Sequence, residues 1–234
     1  MKKININFNV INQFIDLIFP QLCFNCQELL TTSEKVICIS CKANLPIIDH
    51  HAQMENTIEK FMDINPVNVF CYLQFKKDNV TQKLLHEFKY SGYRQIGDTL
   101  GHWFGEQIKS DLKGEKKIEF IVPVPLHARK LTKRGFNQSE IIANGISRAL
   151  GIPVKNKLIE RVLENKTQTL KSRSERMFSV RGLFKVNNPK DIKGKHVLIV
   201  DDVITTGSTL ASCAAEMLDA GATKISLASL ALAK

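Results

Sequence analysis

The chain has 234 residues, about one and a half domain lengths, so one large core with a small additional module is expected. Its 44% hydrophobic and 24% charged residues are typical of a folded globular chain and exclude a disordered, collagen-like or mucin-like protein. Lysine and arginine number 33 against 23 acidic residues, a net charge of +10. This charge favours an anionic partner, which could be nucleic acid, a phosphorylated metabolite or a membrane surface, unless it only serves solubility.

The apolar segment near the N-terminus, residues 8–22, is interrupted by polar residues that include Asn9, Asn12, Gln13 and Asp16. A spanning helix needs about 20 mostly apolar residues, so no transmembrane segment is predicted. Without a clean apolar run and a small-residue cleavage site, no signal peptide is expected either. The apolar spacing predicts a short amphipathic helix that packs on its own protein, on a membrane surface or on a partner. We expect a cytoplasmic protein, or one peripheral to the inner face of the membrane.

The six cysteines are expected to be thiols or metal ligands, because disulfides are rare in a reducing cytoplasm. Four of them form two Cys-x-x-Cys pairs separated by eleven residues: Cys23, Cys26, Cys38 and Cys41. Two such pairs can close a tetrahedral zinc site, and redox-active or simply buried pairs are the alternative. Four sulfur ligands leave no position for substrate, so the zinc would be structural. Cys71 and Cys213 lie in apolar surroundings and are predicted to be core thiols.

Two domains are predicted: residues 1–47, with the N-terminal helix and the zinc-binding module, and residues 48–234. In the second domain, residues 50–66 are interpreted as a polar linker or a loosely packed connection. A strand is predicted at 67–75, followed by helical pieces at 80–114 that Gly92 interrupts.

Strands and helices alternate from residue 118 onward. The pattern predicts a strand at 118–124, a basic loop at 127–135 and a helix capped by Asn137 or Ser139 that stops at Gly151. After a basic stretch at 160–181, we predict a strand at 196–200, a turn at 201–208, a helix and a final strand at 225–232. This alternation predicts an α/β fold whose parallel sheet is covered on both sides, with ligands at the carboxyl ends of the strands.

Two carboxylates, Asp201 and Asp202, directly follow the apolar run 197–200 and precede a loop of small hydroxyl residues and glycine at a helix start. Such a loop offers backbone N–H groups, hydroxyls and the positive helix end to a phosphate. The carboxylates would repel the phosphate, so they are expected to hold sugar hydroxyls or a bridging divalent cation of the same ligand. A ribose 5-phosphate fits this arrangement, whereas the Rossmann and Walker A patterns are absent.

Residues 197–209 resemble the phosphoribosyl pyrophosphate motif of type I phosphoribosyltransferases. The whole chain resembles the ComF family, amidophosphoribosyltransferase-like proteins linked to DNA uptake in competent bacteria. Besides the four-cysteine module, the resemblance is carried by Lys89-Tyr-Ser-Gly92, Val122-Pro-Val-Pro-Leu-His127, Lys133-Arg-Gly-Phe-Asn-Gln138 and Ala220-Gly-Ala222.

The resemblance implies a type I phosphoribosyltransferase fold, with a hood at about 50–115 that selects the acceptor. It implies that Asp201 and Asp202 bind the ribose hydroxyls and that the 5-phosphate is bound by Thr205, Thr206, Gly207, Ser208 and Thr209. It also implies that pyrophosphate and magnesium are bound near a pyrophosphate loop and flexible loop with Leu126, His127, Arg129, Lys133 and Arg134. The physical chemistry agrees, because a leaving pyrophosphate needs the positive charge that these basic residues carry.

Two functions remain open. The chain can be a phosphoribosyltransferase that uses magnesium and phosphoribosyl pyrophosphate with an unknown acceptor, which is the hypothesis we favour. It can also be a non-catalytic competence accessory that binds single-stranded DNA and docks a partner ATPase or helicase. Stacking surfaces for DNA would be Phe136, Phe178 and Phe184, unless these rings belong to the core. No separate catalytic base is evident, which is compatible with both hypotheses.

Overall fold

The computed structural model describes residues 20–49, 57–112, 117–162 and 182–233. The chain divides into two compact units, Met1–Leu45 and Pro46–Lys234. The predicted amphipathic helix at 8–18 and most of the basic stretch at 160–181 lie outside the described residues. Among the residues that are described, no helix is long and apolar enough to cross a bilayer.

The described part of the N-terminal unit, residues 20–45, has a very small apolar core. It contains an antiparallel bridge between Leu22 and Leu29 and a five-residue helix, α1 (Ile39–Ala43). Apart from cysteines, the buried apolar side chains here are Val36, Ile37 and Leu45. Because so few apolar groups leave water within residues 20–45, hydrophobic burial contributes little to the stability of this part of the chain.

The second unit consists of strands and helices in alternation. Their bounds are β1 (Val69–Phe75), α2 (Val80–Tyr90), α3 (Arg94–Asp111), β2 (Phe120–Pro123), α4 (Ala128–Arg134), α5 (Gln138–Leu150), β3 (Ile159–Arg161), β4 (Phe184–Val186), β5 (His196–Ile204), α6 (Ser208–Asp219) and β6 (Lys224–Ala233). Two short 3-10 turns are also present, at Glu59–Phe61 and Pro189–Asp191.

The main sheet has four parallel strands in the order β1-β6-β5-β2. Strands β5 and β6 form its centre, and the apolar run Val197 to Val200 is completely buried. A continuous apolar run is typical of a parallel strand covered on both faces. The predicted α/β fold with a parallel sheet is therefore confirmed. Strands β3 and β4 form a separate antiparallel pair.

Helices α3 and α5 touch at their backbones. A Cβ added to Gly101 would lie 2.5 Å from the carbonyl oxygen of Ile142, and one added to Gly145 would lie 2.5 Å from that of Asp98. Arg148 on α5 also forms an ion pair of 2.6 Å with Asp98 on α3. The glycines therefore allow the two helix backbones to approach more closely than any larger residue would permit.

Three sequence predictions were wrong, one in a strand boundary and two in the kind of structure. Strand β5 continues to Ile204, beyond the predicted end at Val200, because its pairing with β6 includes Asp201 with Ser229. The predicted basic loop is the helix α4, whose residues are mostly good helix formers. The predicted linker contains a 3-10 turn with the fully buried Phe61.

Several local signals were confirmed. Asn137 caps α5 by accepting a hydrogen bond from the Ser139 backbone N–H, and the helix ends at Gly151, whose φ is 69°. Gly92, with φ 78°, separates α2 from α3. Cys71 and Cys213 are buried core thiols, as predicted.

Candidate functional site

The four predicted metal ligands lie together in the N-terminal unit. The Sγ atoms of Cys23, Cys26, Cys38 and Cys41 all lie within 4.8 Å of one another. The two pairs are brought together by α1, because Cys38 is its N-cap residue and Cys41 lies in its first turn. No other group of three or more potential metal ligands occurs in the described parts of the chain.

The sulfur geometry fits a tetrahedral zinc ion. A metal–sulfur distance of about 2.3 Å gives sulfur–sulfur edges of about 3.8 Å, and Cys26 Sγ lies 3.7 Å from Cys38 Sγ. Backbone and side-chain N–H groups also point at the sulfurs, since the Cys38 N–H donates to Cys23 Sγ and Asn25 Nδ2 donates to Cys41 Sγ. Burial opposes ionisation of the Cys23 thiol, but backbone hydrogen bonds outweigh it and lower its pKa to about 6. The cluster can therefore bind zinc.

The two predicted ribose ligands lie at the carboxyl end of the central strand β5. Asp201 Oδ1 accepts hydrogen bonds from Ser139 Oγ at 3.0 Å and from the Asp202 N–H at 2.9 Å. Asp202 Oδ2 forms an ion pair with Lys89 Nζ at 2.8 Å. Burial, and then the neighbouring Asp202 charge, raise the pKa of Asp201 to about 7. Of the two adjacent carboxylates, Asp201 thus accepts from a hydroxyl group and Asp202 pairs with a lysine.

The predicted phosphate loop forms a concave surface directly beyond the two carboxylates. This surface is lined by Asp201, Val203, Ile204, Thr205, Thr206, Gly207, Ser208, Thr209 and Leu210. Thr206 Oγ1 donates to Ser208 Oγ at 3.1 Å and accepts from the Ser208 N–H at 3.4 Å. Gly207, with φ 82°, turns the chain into α6, so the N–H groups of the first helical turn border the loop.

The 3-10 turn Glu59–Phe61 forms one side of this loop. Lys60 Nζ donates to the Thr205 carbonyl oxygen at 3.0 Å. The Phe61 ring lies so close to Gly207 that an added Cβ would be 2.8 Å from a ring carbon. Sequence analysis missed both residues, because a single lysine and phenylalanine in a polar segment carry no periodic signal.

The residues predicted to bind pyrophosphate lie between β2 and α5. Leu126 and His127 precede α4, and the His127 side chain caps that helix by accepting from the Arg129 N–H at 3.4 Å. Lys133 is exposed on α4. Arg134 donates to Gln138 Oε1 at 2.7 Å.

Two of the predicted stacking rings belong to the core. Phe136 and Phe184 are buried, and Phe136 packs on Phe88 with ring centroids 5.6 Å apart. The core interpretation was therefore the right one for these two rings. Phe178 lies outside the described residues.

Comparison with known proteins adds an independent observation. Residues 134–234 match the phosphoribosyl transferase domain family. DNA utilization protein YhgH of Escherichia coli (strain K12) is 32% identical over 144 residues, which cover 61% of this chain and 63% of that protein. Competence protein F of Haemophilus influenzae is 34% identical, covering 54% of this chain and 57% of that protein. Competence protein ComFC of Bacillus subtilis (strain 168) is 26% identical, covering 82% of each. The chain thus spans less than two thirds of the first two relatives.

These matches make the chain similar to competence proteins of the ComF family, with a phosphoribosyl transferase domain in its C-terminal part. Its fold is the type I phosphoribosyltransferase fold with a small four-cysteine module. Among solved structures, it resembles the glutamine phosphoribosylpyrophosphate amidotransferase from B. subtilis, with 20% identity, a TM-score of 0.41 and coverage of 61% of this chain and 30% of that one. It also resembles the purine phosphoribosyltransferase from Pyrococcus horikoshii Ot3, with 25% identity, a TM-score of 0.38 and coverage of 58% and 73%.

The structure gives physical roles to the sequence features that carried the ComF resemblance. In the segment Lys133 to Gln138, Phe136 fills the core and Asn137 Nδ2 donates to the Val124 carbonyl oxygen at 3.0 Å. The segment therefore fixes the start of α5, and with it Ser139, beside Asp201. In the segment Lys89 to Gly92, Lys89 reaches Asp202. The sequence pattern contained Lys89, and Ser139 was predicted only as a possible helix cap, so neither residue was assigned a role at the carboxylates.

Proposed function

We propose that this chain binds phosphoribosyl pyrophosphate at the carboxyl end of β5 and transfers its phosphoribosyl group to an acceptor. One observation carries the proposal: Asp201 and Asp202 lie near the carboxyl end of β5, just before its last residues, and are followed by the loop that opens α6. A ligand with a diol near one end and a phosphate at the other matches this order of acceptors and donors. Ligand binding at this edge of a parallel α/β sheet also agrees with the general rule for such folds.

The roles follow from the chemistry of the side chains. Ribose hydroxyls donate to the carboxylates of Asp201 and Asp202, and the 5-phosphate accepts from backbone N–H groups and hydroxyls in the loop 205–209. Lys60 stands at the rim of this loop and supplies a positive charge that offsets repulsion between the phosphate and the two acids. The reaction breaks the bond between ribose C1 and a pyrophosphate oxygen and forms a bond from C1 to the acceptor atom, which loses a proton to solvent.

The pyrophosphate end of the ligand is assigned to the segment 126–134. Arg129 and Lys133 are exposed on α4, the helix that follows the end of β2. Their positive charge can stabilise the negative charge that develops on the leaving group. Magnesium, when bound with the donor, would neutralise further charge on the pyrophosphate.

We also propose that the four-cysteine cluster holds a structural zinc ion. The sulfur spacing supports it, as does the small apolar core of the described residues 20–45, whose folding would then depend on the metal. All four ligand positions are sulfur, so the zinc takes no part in the transfer.

Calorimetric titration with ribose 5-phosphate, and with phosphoribosyl pyrophosphate plus magnesium, tests the proposed binding site. We expect both ligands to bind and the double variant Asp201→Asn, Asp202→Asn to lose at least tenfold in affinity while keeping its circular dichroism spectrum. Release of pyrophosphate in the presence of nucleobases, amines or nucleic acid then tests the transfer. Absence of binding by the folded wild-type protein would refute the proposal.

A second candidate function is binding of single-stranded DNA as a competence accessory that docks a partner ATPase or helicase. It is favoured by α4, a helix without buried residues that exposes Arg129, Lys130 and Lys133. The names of the relatives, DNA utilization protein and competence protein, point in the same direction. The same helix could bind pyrophosphate or the DNA backbone, so the two functions are compatible.

The salt dependence of DNA affinity tests this second function. Binding through phosphates should weaken steeply as salt rises, and neutralising Lys130 and Lys133 should flatten the slope by about one unit per lost contact. Phosphoribosyl pyrophosphate should compete with the DNA if both occupy α4. An affinity independent of salt would exclude this mode of binding.

A further inference from the structure

Two neighbouring turns of the second unit each reach one of the two carboxylates. Lys89, in the last turn of α2, forms the 2.8 Å ion pair with Asp202 Oδ2. Ser139, in the first turn of α5, donates to Asp201 Oδ1 at 3.0 Å. The side chains of Lys89 and Asp202 are only 20% and 19% exposed, so this ion pair is not an ordinary surface contact.

The turn that carries Lys89 is held in place by aromatic contacts with the segment that leads into α5. The Phe88 and Phe136 rings lie 5.6 Å apart, and the Arg134 guanidinium lies 5.4 Å from the centroid of the Tyr90 ring. Each of these contacts joins a neighbour of Lys89 in sequence to the segment 134–136. These contacts therefore fix the backbone at Lys89 relative to the segment that leads into α5, and so define where its side chain starts.

A second arginine strengthens this connection from the start of α3. Arg94 Nη2 donates to the Gly135 carbonyl oxygen at 3.1 Å, and its guanidinium lies 4.9 Å from the centroid of the Phe136 ring. Because Gly92 turns the chain between Lys89 and Arg94, both ends of that turn are anchored on the same segment. Such support is what a side chain needs to hold a partner at a defined position.

Among the residues that the structure describes, few charged or titratable groups face the two carboxylates. Asp201 is affected by Asp202 on the same strand and Lys89 on α2, and it interacts with the Cys213 thiol on α6. The Ser139 hydroxyl on α5 completes this set. Within the described parts of the chain, Lys89 is thus the cation paired with the acids, and it contacts one oxygen of Asp202.

We propose that Lys89 is a positioning residue of the ribose site: it holds Asp202 by Oδ2 and thereby presents Oδ1 to a sugar hydroxyl. Ser139 acts on Asp201 in the corresponding way, so each carboxylate is oriented by a residue from a different helix. The inference rests on the proposed function, because it concerns recognition of the ribose diol at that site. Lys89 is thereby assigned a role in binding the sugar hydroxyls and no role in binding the phosphate.

Calorimetric titration with two probes, ribose 5-phosphate and inorganic phosphate, tests this role. In Lys89→Met we expect about tenfold weaker binding of ribose 5-phosphate, the loss typical of one charge-assisted contact. Affinity for inorganic phosphate should change less than about threefold, because phosphate alone engages the loop 205–209 and not the carboxylates. Lys89→Arg should restore most of the sugar-dependent affinity. Lys83→Met, which removes an exposed charge from the same helix, should behave like wild type.

A double-variant cycle with Asp202→Asn separates positioning from direct contact. If Lys89 acts through Asp202, adding Lys89→Met to Asp202→Asn should cost little further affinity for ribose 5-phosphate. This double variant removes both charges of the pair, so it also provides a folded comparison should Lys89→Met alone be unstable.

Several outcomes would overturn the inference and leave the proposed function standing. These are an unchanged affinity of Lys89→Met for ribose 5-phosphate, an equal loss for both probes, and fully additive losses in the cycle. An equal loss for both probes would place Lys89 at the phosphate. Failure of the wild-type protein to bind ribose 5-phosphate would instead refute the proposed function, and the inference with it.

Discussion

The ring of Phe61 lies directly against Gly207, with a ring carbon 2.8 Å from the position that a Cβ on Gly207 would occupy. Gly207 is the residue that turns the candidate phosphate loop into α6, and its φ is 82°. The 3-10 turn before β1 is therefore part of the wall of the loop. Both the backbone conformation and the available space require glycine at position 207.

Gly207→Ala should weaken ribose 5-phosphate binding at least tenfold and destabilise the protein by about 1–3 kcal/mol, from left-handed strain and the contact with Phe61. Calorimetry and urea unfolding measure the two effects. Gly194→Ala is a matched control, because Gly194 has φ 77° and nothing within 4 Å of an added Cβ. It should lose stability without losing affinity. Equal affinities of the two variants would contradict a role of this turn in binding.

Lys60→Met should reduce affinity for inorganic phosphate and for ribose 5-phosphate by the same factor, about three- to tenfold. The reason is that the Lys60 ammonium group contacts the Thr205 carbonyl at the rim of the loop, where the proposed site would hold the phosphate. Lys190→Met, at an exposed 3-10 turn, removes the same charge and should have no effect. A loss confined to ribose 5-phosphate would show that Lys60 does not act on the phosphate.

Asp201→Asn should stabilise the ligand-free protein at pH 8 and have much less effect near pH 4. The pKa of Asp201 is raised to about 7, so between about pH 4 and pH 7 the folded protein keeps a proton that the unfolded chain has lost. Wild-type stability therefore falls as pH rises through this window, and the asparagine variant escapes that loss. We expect a gain at pH 8 on the order of 2 kcal/mol, about 4–8 °C in Tm.

Thermal unfolding from pH 4 to pH 8 measures this difference. Asp219→Asn, an exposed position at the end of α6, is the control and should give parallel curves. A wild-type Tm that rises between pH 5 and pH 8 relative to Asp201→Asn would contradict the assigned direction.

Cys41→Ser should abolish stoichiometric zinc binding and the charge-transfer absorption of a cobalt-substituted sample. The cluster then has three sulfurs and loses the symmetric site that all four provide. Ser40→Ala, an exposed position inside the same Cys-x-x-Cys pair, should retain one zinc per chain. Affinity of Cys41→Ser for ribose 5-phosphate tests whether ligand binding by the second unit is independent of the metal. Full zinc content in Cys41→Ser would exclude the four-sulfur site.

Local signals made the centre of the second unit predictable. The apolar run before Asp201, the small hydroxyl residues after it and the glycine at the helix start each specify one part of the strand, turn and helix. The Asn137 cap and the glycine after α5 specified that helix equally well. In these segments each structural preference comes from residues that are adjacent in sequence.

The parts that were not predictable depend on distant partners. β5 extends to Ile204 because β6 continues to pair with it, which the sequence of β5 does not show. Phe61 is in the core because β5 and α6 place Gly207 beside it. Lys89 forms its ion pair with Asp202, a residue more than a hundred positions away, which no local pattern around Lys89 indicates.

The close contact of α3 and α5 at Gly101 and Gly145 has a mechanical consequence. Ser139 lies on α5, and Lys89 lies in the last turn of α2, shortly before α3 begins, so both residues that contact the carboxylates adjoin this helix pair. A side chain larger than hydrogen at position 101 or 145 would push the two helices apart and could displace the start of α5, and with it the Ser139 hydroxyl, from Asp201. The placement of that hydroxyl therefore depends on the missing side chains of two glycines in other turns of the helices.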